Sequence, residues 1–241
     1  MQQKEKAARK RVRPAVKLTA AALALLLLLL VGLRLYAWTS RGHETRMMVL
    51  VNPWNRVDDA DYTPHLTRLS NGLQVDRGCR KALEKMLEDC RAAGNSPVVC
   101  SAYRSREAQQ ALFREKVQEL LDEGQPQELA ERIAAQTVAI PGTSEHELGL
   151  AVDIVDLDYQ LLDREQENTP TQRWLMENAW RYGFILRYPP NAQNITGYDY
   201  EPWHYRYVGD EAAEQIQILG VTLEEYLSMF FSDAAEIVFE N

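Results

Sequence analysis

The chain has 241 residues, 46% of them hydrophobic and 26% charged, with a formal net charge of −8. That is ordinary for a globular protein and leaves room for one domain plus a flanking segment. The charge is uneven: residues 1–41 hold nine Lys or Arg against Glu5, a balance of +8, so residues 42–241 carry −16. A body this acidic excludes nucleic acid as a partner, because phosphate contacts need Lys and Arg.

Residues 1–17 read as a basic N-terminus on the cytoplasmic side. Residues 18–38 read as a single-pass membrane signal-anchor. Leu18 to Leu33 is uncharged and includes six consecutive leucines, Leu25 to Leu30. Lys17 and Arg34 flank it and can snorkel to the interfaces, with Tyr36 and Trp38 as interfacial anchors. The rival is a cleaved secretory signal, but Leu35-Tyr36-Ala37 is a poor small-x-small cleavage site, which favours an uncleaved anchor. Either reading places the rest of the chain outside the cell membrane, anchored in one case and secreted in the other.

Residues 39–65 mix Gly, Asn, Pro, Asp and Thr around one apolar stretch, Met47 to Val51, and read as a linker; His43 and His65 are taken as surface histidines. Residues 66–241 form the main domain. Leu66 to Val75 is extended around Asn71-Gly72. Asp76 caps a helix through Ala93, with Leu83, Met86, Leu87 and Cys90 on its buried stripe and Gly94 as the stop. Pro97 to Ala102 is a strand. Ser105 caps a second helix ending near Gly124, and Pro126 opens a third to about Ala139. After a Pro141-Gly142 turn, Leu150 to Val155 is a strand. Thr171 starts a helix to about Tyr182; Phe184 to Tyr188 and His204 to Val208 are further strands; Asp210 to Leu219 and Thr222 to Phe231 are closing helices. Strands and helices in this order give an α+β fold. The odd set Cys79, Cys90 and Cys100 reads as small buried hydrophobes, with a Cys90–Cys100 bridge left open.

The chemistry concentrates in Ser144-Glu145-His146 through Asp153 and in Glu201-Pro202-Trp203-His204. Two of the four histidines lie here, in settings that read as strand-like. Asp153 sits inside the run Leu150-Ala151-Val152-Asp153-Ile154-Val155, where a lone carboxylate is costly unless it is paired or bound to metal. His146, Asp153 and His204 supply two imidazoles and one carboxylate, a set that can hold zinc and leave its fourth position to water. Glu201 is a candidate base for that water. Residues three apart on a regular strand face opposite ways, so Glu201 and His204 converge only if the chain kinks, as Pro202 allows. The alternative for the same residues is a buried salt-bridge cluster.

Four spaced stretches resemble one family: Ser101-Ala102-Tyr103-Arg104-Ser105 with Gln109, Ser144 through Asp153, Ile195-Thr196-Gly197-Tyr198, and Glu201 through Gly209. Together they resemble the D-alanyl-D-alanine carboxypeptidases of the VanY type, within the wider LAS group of zinc metallopeptidases. The resemblance covers roughly residues 66 to 230. It implies a small antiparallel sheet carrying the zinc site on its open face, flanked by helices. It implies Zn2+ on His146, Asp153 and His204, Glu201 as catalytic base, and Arg104 as the cation that steadies the oxyanion. Ser144 and Gln109 are implied as substrate contacts, and the implied partner is a peptidoglycan stem peptide that loses its terminal D-alanine. An L,D-carboxypeptidase acting on tetrapeptide stems is the nearest alternative, and a catalytically silent wall-binding module a more distant one, against which the intact Glu201 speaks. A penicillin-binding-type serine enzyme is disfavoured because no Ser-x-x-Lys occurs in the chain.

Overall fold

A computed structural model describes residues 46–57 and 62–231. The chain divides into two units, Met1–Arg46 and Met47–Asn241, and the second holds the sheet and its helices. The basic N-terminus and the membrane segment expected over 1–17 and 18–38 lie outside the described residues, as do residues 39–45 of the linker. Among the described residues, no helix is long and apolar enough to cross a membrane.

The first elements are a short antiparallel hairpin, β1 (Leu66–Arg68) and β2 (Gln74–Asp76), running into helix α1 (Arg77–Ala92). Asp76 makes the junction. Its carboxylate accepts from the Gly78 N–H at 2.8 Å and from the His65 N–H at 2.7 Å, capping α1 and tying down the chain before β1. Cys79, Leu83, Met86, Leu87 and Cys90 recur at helical spacing and form the buried face of α1. Strand β3 (Pro97–Ser101) follows, then helices α2 (Arg106–Asp122), capped by Ser105, and α3 (Gln127–Thr137). These two helices share a small core of their own, Val117 and Leu120 against Ala130 and Ala134.

Strand β4 (Ala151–Asp156) is buried along its whole length. After it come α4 (Pro170–Asn178), β5 (Phe184–Leu186), the single turn α5 (Gln193–Thr196), β6 (His204–Tyr207), α6 (Asp210–Leu219) and α7 (Leu223–Phe230). The sheet order is β3-β4-β6-β5, every pairing antiparallel. Val152, Ile154, Phe184 and Tyr205 join the main core with α1 and α4 residues such as Leu83, Met86 and Leu175. Burying each such side chain stabilises the fold by roughly 1.5–3 kcal/mol, enough to fix which sheet face turns inward. Asp153 alternates with Val152 and Ile154 and therefore points to the opposite face.

The register does the rest. Asp153 pairs with His204 across β4–β6 and with Ser101 across β4–β3, where an irregularity falls between Val99 and Ser101. Residues directly opposite in an antiparallel pair project to the same side, so Asp153 and His204 meet on the open face.

Several expectations are corrected. Residues 47–57 are not a linker: Met47, Val51 and Val57 are buried in one cluster with Leu148 and Leu150. The Arg206 guanidinium also donates to the carbonyls of Met47 and Val49, each at 2.8 Å. The apolar stretch from Met47 is thus a strap of the domain, which begins at residue 47 rather than 66. His146 sits on a 3-10 turn, Glu145–Leu148, rather than in a strand-like setting, and this turn ends at Gly149 with φ of 68°. The helix expected over 171–182 is α4 followed by a separate 3-10 turn, Ala179–Tyr182. All three cysteines are free, with Cys79 and Cys90 buried and Cys100 exposed, so the Cys90–Cys100 bridge is not formed.

Candidate metal centre

His146, Asp153 and His204 are each about 3% exposed, and each offers a ligand atom within 4.8 Å of the others. Asp153 lies between the imidazoles: Oδ2 is 3.2 Å from His146 Nε2, and Oδ1 is 3.1 Å from His204 Nδ1. The rings stand edge to face, 4.9 Å apart. Each ring has a second partner on its far side. His146 Nδ1 lies 2.7 Å from the Ala102 carbonyl, which only an N–H can satisfy, so Nε2 is the nitrogen with a free lone pair. His204 Nε2 faces the Glu145 carboxylate at 3.4 Å, which leaves Nδ1 turned toward Asp153. Two lone pairs and a carboxylate oxygen therefore converge on one point, and these donors suit zinc with an open position.

Glu201 is brought to the same point by a tight turn, not by a strand. The His204 N–H donates to the Glu201 carbonyl at 3.2 Å, and the Glu201 N–H donates to the Tyr188 carbonyl at 3.2 Å. The Glu201 carboxylate stands 3.7 Å from His204 Nδ1. This turn is the kink that the Pro202 spacing required. Without a metal ion, burial lifts the Glu201 carboxyl to about 8, with His204 pulling it down and Asp153 pushing it up. Burial lowers His146 to about 4, aided by Arg104 and resisted by Asp153. Burial thus keeps His146 neutral, as a metal ligand must be, whereas Asp153 and Glu145 overcome burial at His204 and raise it to about 9, so that ring would have to give up a proton to bind an ion.

Arg104 enters just after β3, and its N–H donates to the His146 carbonyl at 3.2 Å. Its Nη2 lies 3.4 Å from Asp153 Oδ2 and its Nη1 donates to Gln109 Oε1 at 2.9 Å, while Nε is buried without a partner among the described residues. Gln109 is fully buried and its Nε2 donates to the Ala139 carbonyl at 2.7 Å. It braces Arg104 from behind and is not among the residues that line the cleft. Ser144 does line the cleft, beside His146. So does Trp203 in the turn before β6, whereas Tyr205 on the strand is wholly buried in the core.

The cleft has a volume of about 720 Å³, and His146, Asp153 and His204 share it with Arg104, Glu201 and the aromatic side chains of Tyr188, Tyr198 and Tyr200. Tyr188 stacks on His204 with ring centroids 4.8 Å apart. Sequence reasoning missed Tyr188, and it also missed Glu145. The Glu145 side chain is fully buried; burial opposes its charge, yet Arg187 and Arg206 hold its carboxyl far below the usual carboxylate range. The only signal in the sequence was its place directly before His146.

A His/Asp/His centre with an adjacent buried carboxylate, on the open face of an antiparallel sheet, defines a metallopeptidase-type site. Comparison with known proteins refines this. Residues 72–210 match the family model described as VanY, D-alanyl-D-alanine carboxypeptidase. A D-alanyl-D-alanine carboxypeptidase of Enterococcus faecalis is 45% identical over 181 residues, which is 75% of this chain and 65% of that protein. The chain thus spans less than two thirds of that relative's length. The vancomycin-resistance D,D-pentapeptidase VanY from a VanB-type cassette, crystallised as a glutamate-to-alanine mutant in complex with Zn(II), is also 45% identical. It superposes with a TM-score of 0.69 over 76% of this chain and 99% of its own. The LD-carboxypeptidase LdcB is 34% identical, with a TM-score of 0.65 over 74% of this chain and 84% of its own. The chain belongs to the VanY family of D-alanyl-D-alanine carboxypeptidases.

Proposed function

We propose that this protein is a zinc carboxypeptidase that removes the C-terminal D-alanine from peptidoglycan stem peptides. The observation that carries the reading is the convergence of His146, Asp153 and His204 with Glu201 beside them. Its D,D-specificity is supported by 45% identity to VanYB, solved in complex with D-alanine-D-alanine, against 34% to an LD-carboxypeptidase.

His146 through Nε2, Asp153 through a carboxylate oxygen and His204 through Nδ1 would hold the ion. A zinc ion there supplies Lewis acidity, acidifying water and polarising the scissile carbonyl. Glu201 takes the proton of the attacking water and returns it to the departing amine of D-alanine. Arg104, its guanidinium aimed by Gln109, stabilises the charge that develops on the carbonyl oxygen. Ser144 lies where it can donate to the peptide backbone. The aromatic walls exclude water and present apolar faces to the small D-alanine methyl groups.

The test is product mass on defined muropeptides with the full chain. Loss of one alanine from a pentapeptide, abolished by a chelator and untouched by a stoichiometric β-lactam, is expected. Cleavage of tetrapeptide alone would move the assignment to L,D-specificity, and acylation by the β-lactam would refute the metal mechanism.

The same reading includes a membrane anchor at residues 18–38 that places residues 39–241 outside the cell membrane. It is supported by the leucine run and the change in charge from +8 to −16 along the chain. Protease added to intact spheroplasts should digest the catalytic domain, with full-length chain in the membrane fraction beforehand. A soluble mature form starting near Trp38 would instead mark a cleaved signal.

A further inference from the structure

Glu145 serves neither as metal ligand nor as substrate contact in the proposed mechanism, yet it is among the most completely enclosed charges in the molecule. Its two oxygens have separate duties. Oε1 accepts from both buried arginines, Arg187 Nε at 2.6 Å and Arg206 Nη1 at 2.7 Å. Oε2 is left to face His204 Nε2 at 3.4 Å.

The arginines are in turn fixed from behind. Arg187 makes a two-pronged contact with Glu224, 2.9 Å from Nη1 and 2.6 Å from Nη2. Arg206 Nη2 donates to Met47 and Val49, and its Nε donates to the Tyr207 carbonyl at 3.0 Å. Two carboxylates thus balance two guanidiniums, and both are immobilised. A charge cluster serving stability alone would have no reason to turn one oxygen toward a metal-ligand ring.

We infer that Glu145 is a positioning residue for the metal centre: through Oε2 it accepts the Nε2 proton of His204, fixes that tautomer and turns Nδ1 toward the ion. This rests on the zinc reading of the site. An outer-shell carboxylate of this kind orients the ring and raises its basicity, and losing one typically weakens metal binding about 10- to 100-fold. His146 receives the same service from a backbone carbonyl, so the two ligands are set by different means. The carbonyl comes with the chain, whereas the carboxylate needs its pair of arginines.

The test uses the full chain and two independent readouts. Two-bond proton–nitrogen spectra of the zinc-loaded, histidine-labelled protein have only four rings to assign. His204 is expected to carry its proton on Nε2. Zinc affinity is measured by competition with a chromophoric chelator for Glu145→Gln, Glu145→Ala and Glu224→Gln, with folding checked by circular dichroism. Glu145→Gln keeps an acceptor but loses the charge, so its affinity should fall about 10-fold, with Glu145→Ala nearer 100-fold. Glu224→Gln breaks the same ionic cluster without touching His204, and should melt earlier while holding zinc as tightly as the wild type.

If the Glu145 variants fold and bind zinc with wild-type affinity, the inference is overturned. If they do not fold, the wild-type spectrum decides, and a deprotonated, metal-bound Nε2 on His204 overturns it. A wild-type chain that binds no zinc overturns the metal reading itself.

Discussion

Replacing Glu201 by Gln should move activity and stability in opposite directions. The amide keeps the shape but cannot take a proton from water, so turnover of the zinc-loaded enzyme should fall about 100- to 10,000-fold. In chelator-treated protein the same change should stabilise the fold at alkaline pH. Burial raises the Glu201 carboxyl from 4.5 to about 8. A group raised in the folded state contributes stability that is fully present below the unfolded value and is lost as pH rises through the folded value. Each decade of acidity is worth ~1.4 kcal/mol, so enclosing the ionised carboxylate costs on the order of 5 kcal/mol once pH passes 8. For a domain of this size that is on the order of 10 °C in melting temperature. The side chain is 12% exposed, so little of this is screened by solvent. His204 adds a second loss with the same sign. Burial works against its charge, but hydrogen bonds to Asp153 and Glu145 more than offset this and raise it to about 9. The assay is a series of melting curves of metal-free wild type and Glu201→Gln from pH 5 to pH 9.5. Because His146 is lowered to about 4 and gains stability as pH rises toward 6.5, the wild type should hold roughly level to about pH 6.5 and then fall steeply, while the variant should rise to about pH 6.5 and then show only the His204 slope. Parallel curves for the two proteins would refute the claim that Glu201 is enclosed, and near-native turnover would remove it as the base.

Gln109→Ala should lower kcat about 10- to 100-fold with little change in KM, because Arg104 loses the partner that aims it; unchanged kcat would show that Asp153 alone holds the guanidinium. Gly149→Ala should destabilise the protein by at least 1–2 kcal/mol, about the cost of a left-handed residue with a side chain. The added Cβ would also stand 3.0 Å from the Asp76 nitrogen and 3.2 Å from Leu66 Cδ2; an unchanged melting temperature would mean the turn can relax. His204→Ala should abolish stoichiometric zinc binding by metal analysis, and a full equivalent of retained metal would displace His204 from the ligand set.

The convergence of His146, Asp153 and His204 was legible in the sequence because its cost is local. A carboxylate inside Leu150 to Val155 announces that something offsets its burial, and a histidine follows a carboxylate in the other motif. Helix starts were legible for a similar reason: Asp76, Ser105 and Thr222 each cap with their own side chains. What stayed hidden depends on partners far along the chain. Nothing near Met47 says that Arg206 will hold its carbonyl. Glu145 looks like any surface glutamate until Arg206 arrives from β6 and Arg187 from the residue after β5. Gln109 lies on the first turns of α2, where spacing alone does not separate a residue facing substrate from one bracing an arginine.

The strap over residues 47–57 has a consequence for how the molecule comes into being. Arg206 reaches back 159 residues to Met47, and Glu224 accepts from the Asn52 side chain 172 residues away. The first part of the domain to be synthesised is thus secured by its middle, Leu148, Leu150 and the Gly142 carbonyl, and completed by its last part. Contacts this distant in sequence close late and slowly, because the loop entropy is lost before they give anything back. The same late arginine completes the cage around Glu145. A growing chain thus has His146 and Asp153 in hand long before the third ligand and its support exist. A truncation short of α7 would remove Glu224, and with it one tie on the strap, at Asn52, and the two-pronged partner of Arg187.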